Sequence, residues 1–239
     1  LGVDVRLRRY NAQMDCDTAF RGTTVEGIVS DLVRTERFQQ QGIGLKYVAG
    51  TVQHWQLIAS KRSRVSRLDQ LGDKVVGITR FSGTDWLTNQ CLEGVKVKGD
   101  VYRVQINDVL IRLRMLIGNE IDAAWLSEPW ATLARQRGGV VLVDSSDRYP
   151  VLGVIAFKDE AIRDKRRQKQ LSLFLKGYNM ACDSLNAHGL SAYVDVLKKY
   201  YRIDDKTIAA LPKIRYMHAV EPTADNIKKV SAFVKTTIN

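Results

Sequence analysis

Lys74-Val-Val-Gly-Ile-Thr-Arg-Phe-Ser-Gly-Thr-Asp-Trp86 constrains the fold more than any other stretch of the chain. Its apolar start is too short for a helix, and Leu87, Cys91 and Leu92 beyond it mark one helical face, so the segment reads as strand, turn, helix. Ser82-Gly-Thr-Asp85 fits a capping box, in which a hydroxyl and a carboxylate three residues apart answer each other's orphan backbone donors. The same helix start offers N–H groups and a positive dipole end to an anionic or strongly polar ligand. On this stretch alone both readings stand.

The rest of the chain repeats the alternation. Gly2 reads as a glycine that ends a helix, and residues 3–9 alternate as a strand. Asn11 caps a short helix marked by Ala12, Cys16, Ala19 and Phe20. Strands are expected at 25–30, 45–49, 55–59, 101–106, 121–126, 140–143 and 151–157. Between them come a helix over 31–41, one carried by Val109, Leu110, Leu113, Leu116 and Ile117, and one entered through Pro129 at its first position. The pattern is helical over 166–187, 190–201, 204–211 and 224–236. Repeated strand and helix alternation makes this an α/β protein with mainly parallel sheets flanked by helices.

With 239 residues, 45% of them hydrophobic, the chain can build one large or two small cores. The charged, coreless segment 61–67 reads as a crossing into a second domain over 72–149. No window approaches the roughly 18 unbroken apolar residues of a membrane span, and no signal-peptide pattern occurs. The net charge of +11 gathers in part around one helix start, at Lys158, Arg163, Lys165, Arg166, Arg167 and Lys169. Without aromatic interleaving this reads as a solvated face and not as a nucleic-acid stripe. Cys16, Cys91 and Cys182 are too widely spaced for a metal site, the three histidines are isolated, and neither a P-loop nor a GxGxxG occurs. No metal or cofactor is expected.

Polar or aromatic clusters recur where strands end: 11–15, Ser30-Asp31, Thr51 to Trp55, Phe81 to Asp85, Asn107, and Trp125 to Trp130. Ligands of open α/β sheets bind outside the carboxyl ends of the strands. These segments keep the order of a known family. Gly-Val-Asp-Val-Arg-Leu, Val-Glu-Gly-Ile-Val-Ser-Asp, Leu-Asp-Gln-Leu-Gly-Asp-Lys-Val-Val-Gly-Ile, Ser-Gly-Thr-Asp, Ile-Asp-Ala-Ala-Trp and Glu-Pro-Trp-Ala resemble the substrate-binding proteins of ABC importers. The branch is the nitrate/sulfonate/taurine or thiamine-precursor-synthesis-like one.

The resemblance implies a two-lobed type II periplasmic-binding-protein fold that closes like a hinge on a small ligand. Lobe one is then 1–71 with 150–239, and lobe two 72–149. By position the ligand-facing residues are Asn11, Ser30, Asp31, Thr51, Ser82, Gly83, Thr84, Asn107 and Glu128, with Trp55, Phe81, Trp125 and Trp130 as aromatic lining or core. The implied partners are a membrane permease and a small molecule. A sulfonate or other anion suits the helix start, and a pyrimidine-like heterocycle suits Asp31 and Glu128. The family's first strand, loop and helix are not in this sequence. A periplasmic or outer-face location, with a lipid anchor ahead of Leu1, is likewise implied only by resemblance.

Two other classes share the fold. An enzyme, of lyase or pyrimidine-biosynthesis type, would use Asp31 or Glu128 as a general base if buried. The effector domain of a transcription regulator would need a helix-turn-helix, which nothing here resembles.

Overall fold

The computed structural model of the protein describes residues 2, 4–22 and 24–237. In chain order they form α1 (Gln13–Arg21), β1 (Gly27–Asp31), α2 (Leu32–Gln40), β2 (Leu45–Gly50), β3 (Gln56–Ala59), β4 (Lys74–Ile78) and α3 (Gly83–Leu92). Next come β5 (Val101–Gln105), α4 (Val109–Gly118), β6 (Ala123–Leu126), α5 (Trp130–Gln136), β7 (Val140–Asp144) and β8 (Gly153–Lys158). The helices α6 (Asp159–Ile162), α7 (Lys165–His188), α8 (Val194–Tyr201), α9 (Asp205–Ala209) and α10 (Ala224–Thr237) finish the chain.

The chain divides into two compact units. Unit 1 comprises Leu1–Val52, Val151–Gly189 and Ile214–Asn239, and unit 2 comprises Gln53–Pro150 and Leu190–Lys213. The first crossing therefore falls at Val52/Gln53, ahead of the charged segment at 61–67 and of the expected boundary at 71. The reason is pairing: β3 hydrogen-bonds with β6 and β7, so its residues complete the second sheet. Residues 190–213, expected in lobe one, also join unit 2, because Leu197, Ile203 and Ile208 are buried in its core.

Unit 1 holds a three-stranded sheet in the order β1-β8-β2, with β8 antiparallel to both neighbours. Its core gathers Val48, Ala49 and Ile155 against Phe157, Leu171, Phe174 and Leu175 of β8 and α7. On the other side Phe20 and Phe38 meet with ring centroids 5.5 Å apart, and α10 lies on α2. Asn179, Cys182 and Asn186, on one face of α7, hydrogen-bond the backbone of 216–219 and tie that extended segment down. The strand expected over 3–9 is not formed: residues 4–10 make no strand, Val5 and Leu7 are exposed, and Leu1 and Val3 lie outside the described residues. An alternating pattern becomes a strand only against a partner edge.

Unit 2 holds a five-stranded sheet in the order β5-β4-β6-β3-β7. Its parallel part is β5-β4-β6, while β3 runs against β6 and β7. The two strands that run against their neighbours, β3 and β8, are the first strands made after the first two crossings between units, at Val52/Gln53 and Pro150/Val151. Leu113 and Leu116 of α4, Trp130 and Ala131 of α5 and Ile58, Ala124 and Leu126 of the sheet form the core. The carboxyl ends of β4, β5 and β6 therefore lie at one end of this sheet.

Gly72 shows how closely the entry to β4 is packed. A Cβ there would lie 1.7 Å from the Lys98 carbonyl oxygen, a backbone atom that cannot rotate away. Gly72→Ala is expected to lower stability by about 1–3 kcal/mol, read as a lower urea midpoint; an unchanged midpoint would mean that the 98–101 turn yields freely.

Candidate functional site

Thr79 follows β4, Phe81 takes the left-handed backbone at φ +56°, and Ser82 opens α3. The Ser82 hydroxyl donates to the Thr79 carbonyl at 2.6 Å and accepts from the Thr84 amide at 3.2 Å. The Thr84 hydroxyl accepts from the Thr79 amide at 3.0 Å and lies 2.9 Å from the Ser82 hydroxyl. Asp85 accepts from the Phe81 amide at 2.9 Å, so its reach goes one residue beyond the Ser82 amide that a capping box would use. The left-handed turn at Phe81 brings that earlier amide within range. All three hydroxyl side chains, Thr79, Ser82 and Thr84, are buried. Their hydrogen bonds close on one another and hold the turn rigid, with the positive end of the α3 dipole at its tip.

Beneath this turn sits a residue that the sequence reading passed over. Arg112 of α4 is buried and donates to the Ile106 carbonyl at 2.6 Å, the Trp125 carbonyl at 2.8 Å and the Thr79 hydroxyl at 2.5 Å. One guanidinium thus ties the carboxyl ends of β4, β5 and β6 together. Its stem crosses Gly77 of β4, where a Cβ would come within 2.9 Å of Ile121 Cδ1, 3.2 Å of Arg112 Cγ and 3.3 Å of Ile106 Cδ1, so a side chain there would crowd the packing. The signal was available: Arg112 stands three residues after Val109 and four before Leu116, on the apolar face of its helix. Nearby, the Arg103 guanidinium pairs with Asp85 at 3.4 Å and also reaches Asn89.

Unit 1 has its own polar cluster at the carboxyl end of β1. Asp31 caps α2 by accepting from the Arg34 amide at 3.1 Å. The buried Arg34 guanidinium pairs with Asp17 and approaches Asp31 at 3.6 Å, and Gln13 reaches both Ser30 and Asp17. Burial pushes the Asp17 carboxyl above its usual range, although Arg34 and Gln13 pull it down. Burial also pushes the neighbouring Cys16 thiol up to about 11, with Asp17 adding to the effect. Cys91 in unit 2 is raised to about 11, again first by burial. Both thiols stay protonated at neutral pH and are poor nucleophiles. Further along α2, Glu36 accepts from the Tyr47 hydroxyl at 2.6 Å and from Ser231 of α10.

The remaining expected residues divide. Asn11 is exposed, and the N-cap position of α1 is Ala12, because the helix begins one residue later than expected. Thr51 is half-buried and its amide donates to the Gly153 carbonyl at 2.8 Å. Asn107 is half-buried beside Gln105, which donates to it at 3.1 Å. Pro129 stands at the N-cap of α5, one position earlier than expected. Glu128 accepts from the Thr132 amide at 3.0 Å and pairs with Arg135 at 2.9 Å, so it holds its own helix start. Gly83 lies buried in the first turn of α3.

Of the aromatic residues, Trp125 is fully buried with its indole N–H on the Thr88 hydroxyl, and Trp130 packs edge-on against Tyr201 at 5.9 Å. Both are core residues of unit 2. Phe81 and Trp55 are half-buried; Arg80 lies over the Phe81 ring, and Trp55 exchanges hydrogen bonds with Ser145. No group of three or more His, Cys, Asp or Glu is placed to hold a metal ion among the described residues.

Open α/β sheets with a capped helix start and a buried cation near strand carboxyl ends, one in each unit, resemble the two-lobed fold of periplasmic binding proteins. Solved structures carry the likeness. The aliphatic sulphonate binding protein SsuA from Escherichia coli matches at a TM-score of 0.76 with 14% identity, over 95% of this chain and 75% of its own. The ligand binding component of an ABC-type import system from Staphylococcus aureus matches at 0.75 with 17% identity, over 95% and 79%. The alkanesulfonate-binding protein SsuA from Xanthomonas axonopodis pv. citri, bound to MOPS, matches at 0.74 with 13% identity, over 95% and 79%. No protein-family model matches the chain, and no curated protein does. At such identities the likeness establishes the fold.

Proposed function

We propose that this protein is the solute-binding component of an ABC importer and that its ligand is a small anion of the sulfonate class. The observation that carries the anion is Arg112, a buried cation whose guanidinium donates to the Thr79 hydroxyl, while the Ser82 hydroxyl bonds the Thr79 carbonyl and the Thr84 hydroxyl. Together with the start of α3 it makes the carboxyl ends of β4, β5 and β6 electropositive. A neutral pyrimidine-like ligand would draw no benefit from that charge. The solved structures of like fold support the class, since two of those above are named for binding sulphonates or alkanesulfonates and one for an ABC import system.

On this reading the Ser82 turn presents the anion site in unit 2, and hinge closure on the ligand, as the family resemblance implies, makes the shape that a membrane permease recognises. The protein then works on the outer side of the cytoplasmic membrane. No helix among the described residues is long and apolar enough to cross a membrane. The enzyme alternative finds less support: Asp31 and Glu128, the two carboxylates suited to a general base, cap helices and face Arg34 and Arg135.

The test is titration calorimetry with ethanesulfonate. Ser82→Ala with Thr84→Ala is expected to weaken binding by about 1–3 kcal/mol, because the turn that aims the α3 terminus loses its hydroxyl lock. Affinity equal to wild type in a folded double variant would remove this turn from the site, and turnover of the ligand would favour an enzyme.

A further inference from the structure

At the other end of unit 2 lies a cavity of about 730 Å³ that the proposed ligand site does not use. Ala59, the last residue of β3, pairs with Ala123, the first of β6, and Ser60 donates to the Asp122 carbonyl just beyond. The cavity opens beside Ser60, whereas Thr79 and Ser82 follow the carboxyl end of β4, which is parallel to β6. The two places are at opposite ends of one sheet.

Four basic side chains, Lys61, Arg62, Arg64 and Arg137, line this cavity, and no carboxylate does. None of the four makes an ion pair among the described residues, as is also true of Arg80 and Arg114 in the same unit; what sets the four apart is that they share one concave surface. The simplest account is that the cations answer the carboxyl-terminal ends of α4 and α5, whose last residues also line the cavity. Each helix end carries about half a negative charge, so the pair offsets about one of four positive charges. The four side chains are exposed, so the remaining repulsion is screened, and an anion would gain from their combined field.

The frame around these charges is rigid. Ser60 is buried and accepts from the Ser63 amide at 3.3 Å, closing the 3-10 turn that carries Lys61 and Arg62. The Arg62 amide donates to the Asn119 side chain at 3.3 Å, with Asn119 in the left-handed cap of α4. Gly139 admits no side chain, since a Cβ would lie 2.7 Å from Ile58 Cγ2. The space is open to solvent on one side and large enough to admit a small polar molecule.

The geometry points to a second anion site in unit 2, formed by Lys61, Arg62, Arg64 and Arg137, for a phosphate-bearing ligand, either a free phosphate compound or a lipid headgroup. Several converging cations suit a multiply charged, several-oxygen anion better than a single sulfonate.

Titrating inorganic pyrophosphate into the full chain at low salt, and sedimenting it with phosphatidylglycerol or phosphatidylcholine vesicles, distinguishes the sources. The expected result is salt-dependent binding to pyrophosphate or to the anionic vesicles, weakened at least tenfold in Arg62→Ala/Arg64→Ala/Arg137→Ala. Binding of pyrophosphate assigns the site to a free compound, and binding of anionic vesicles alone assigns it to a headgroup. Lys165→Ala/Arg166→Ala/Lys169→Ala removes the same charge from α7 in unit 1 and should change neither. If it weakens binding as much, the chain responds only to its net charge of +11 and the proposal fails. It also fails if neither probe binds or if the unit 2 variant binds like wild type. Ethanesulfonate affinity in the unit 2 variant should stay at the wild-type level, which separates this site from the one under Ser82.

Discussion

Replacing Arg112 with methionine is expected to destabilise unit 2 by about 3–5 kcal/mol, the range for breaking a buried charged hydrogen-bond set. Methionine fills the space of the stem over Gly77 but donates nothing, so the Ile106 and Trp125 carbonyls lose their donors while still buried beside the chain that replaces them. Arg112→Lys is the discriminating control. A single ammonium keeps the charge yet cannot span three acceptors that a planar fork reaches at once. Lysine should therefore recover only a minor part of the loss. Urea unfolding followed by tryptophan fluorescence reports on it directly, because Trp86, Trp125 and Trp130 are buried in this unit. Methionine behaving like wild type would show that the strand ends hold without the guanidinium. The ethanesulfonate affinity of the lysine variant adds a functional reading: retained charge with disordered strand ends should weaken binding without abolishing it.

Arg34→Met carries an effect of the same size in unit 1, with a distinctive pH dependence. Asp17 and Asp31 would be left facing each other's vicinity without their shared cation, costing about 3–5 kcal/mol near neutral pH. Asp17 is already pushed up by burial and held back partly by Arg34, so removing Arg34 moves its folded value higher still. A carboxyl whose folded value exceeds its unfolded one binds its proton more tightly when folded. Its penalty is absent below the unfolded value near 3.9 and fully present above the folded value. The deficit of Arg34→Met against wild type should therefore shrink as pH falls from neutral through the raised folded value toward the unfolded value near 3.9. A deficit that is constant over that range would mean that the charges of Asp17 and Asp31 are not what the arginine balances.

Both arginines lie on helices that the sequence located, one over 31–41 by its ends and the other by its apolar face. Periodicity located α4 through Val109, Leu113 and Leu116, and the apolar runs located β4, β6 and β8 to within a residue or two. The Ser82 turn was legible too, since a hydroxyl, a glycine and a carboxylate at that spacing have few other uses. These are local patterns, written in residues three or four apart along helices or two apart along strands.

Pairing between distant segments is a different matter. β3 and β8 look like any other short apolar runs, and nothing within them says that they run antiparallel or that β3 completes the sheet of unit 2. The destination of Arg112 and Arg34 is likewise set by partners 13 to 33 residues away, the burial of Trp125 and Trp130 by the packing of a face, and the commitment of Glu128 to Arg135 by a pairing across seven residues that no local pattern announces. What the sequence determined by itself was the kind and order of elements and the helix start at Ser82, because these follow from short-range sterics and hydrogen bonding. Only the tertiary structure decided which charges are buried together, since the cost of an enclosed cation depends on what oxygen atoms the fold brings to it.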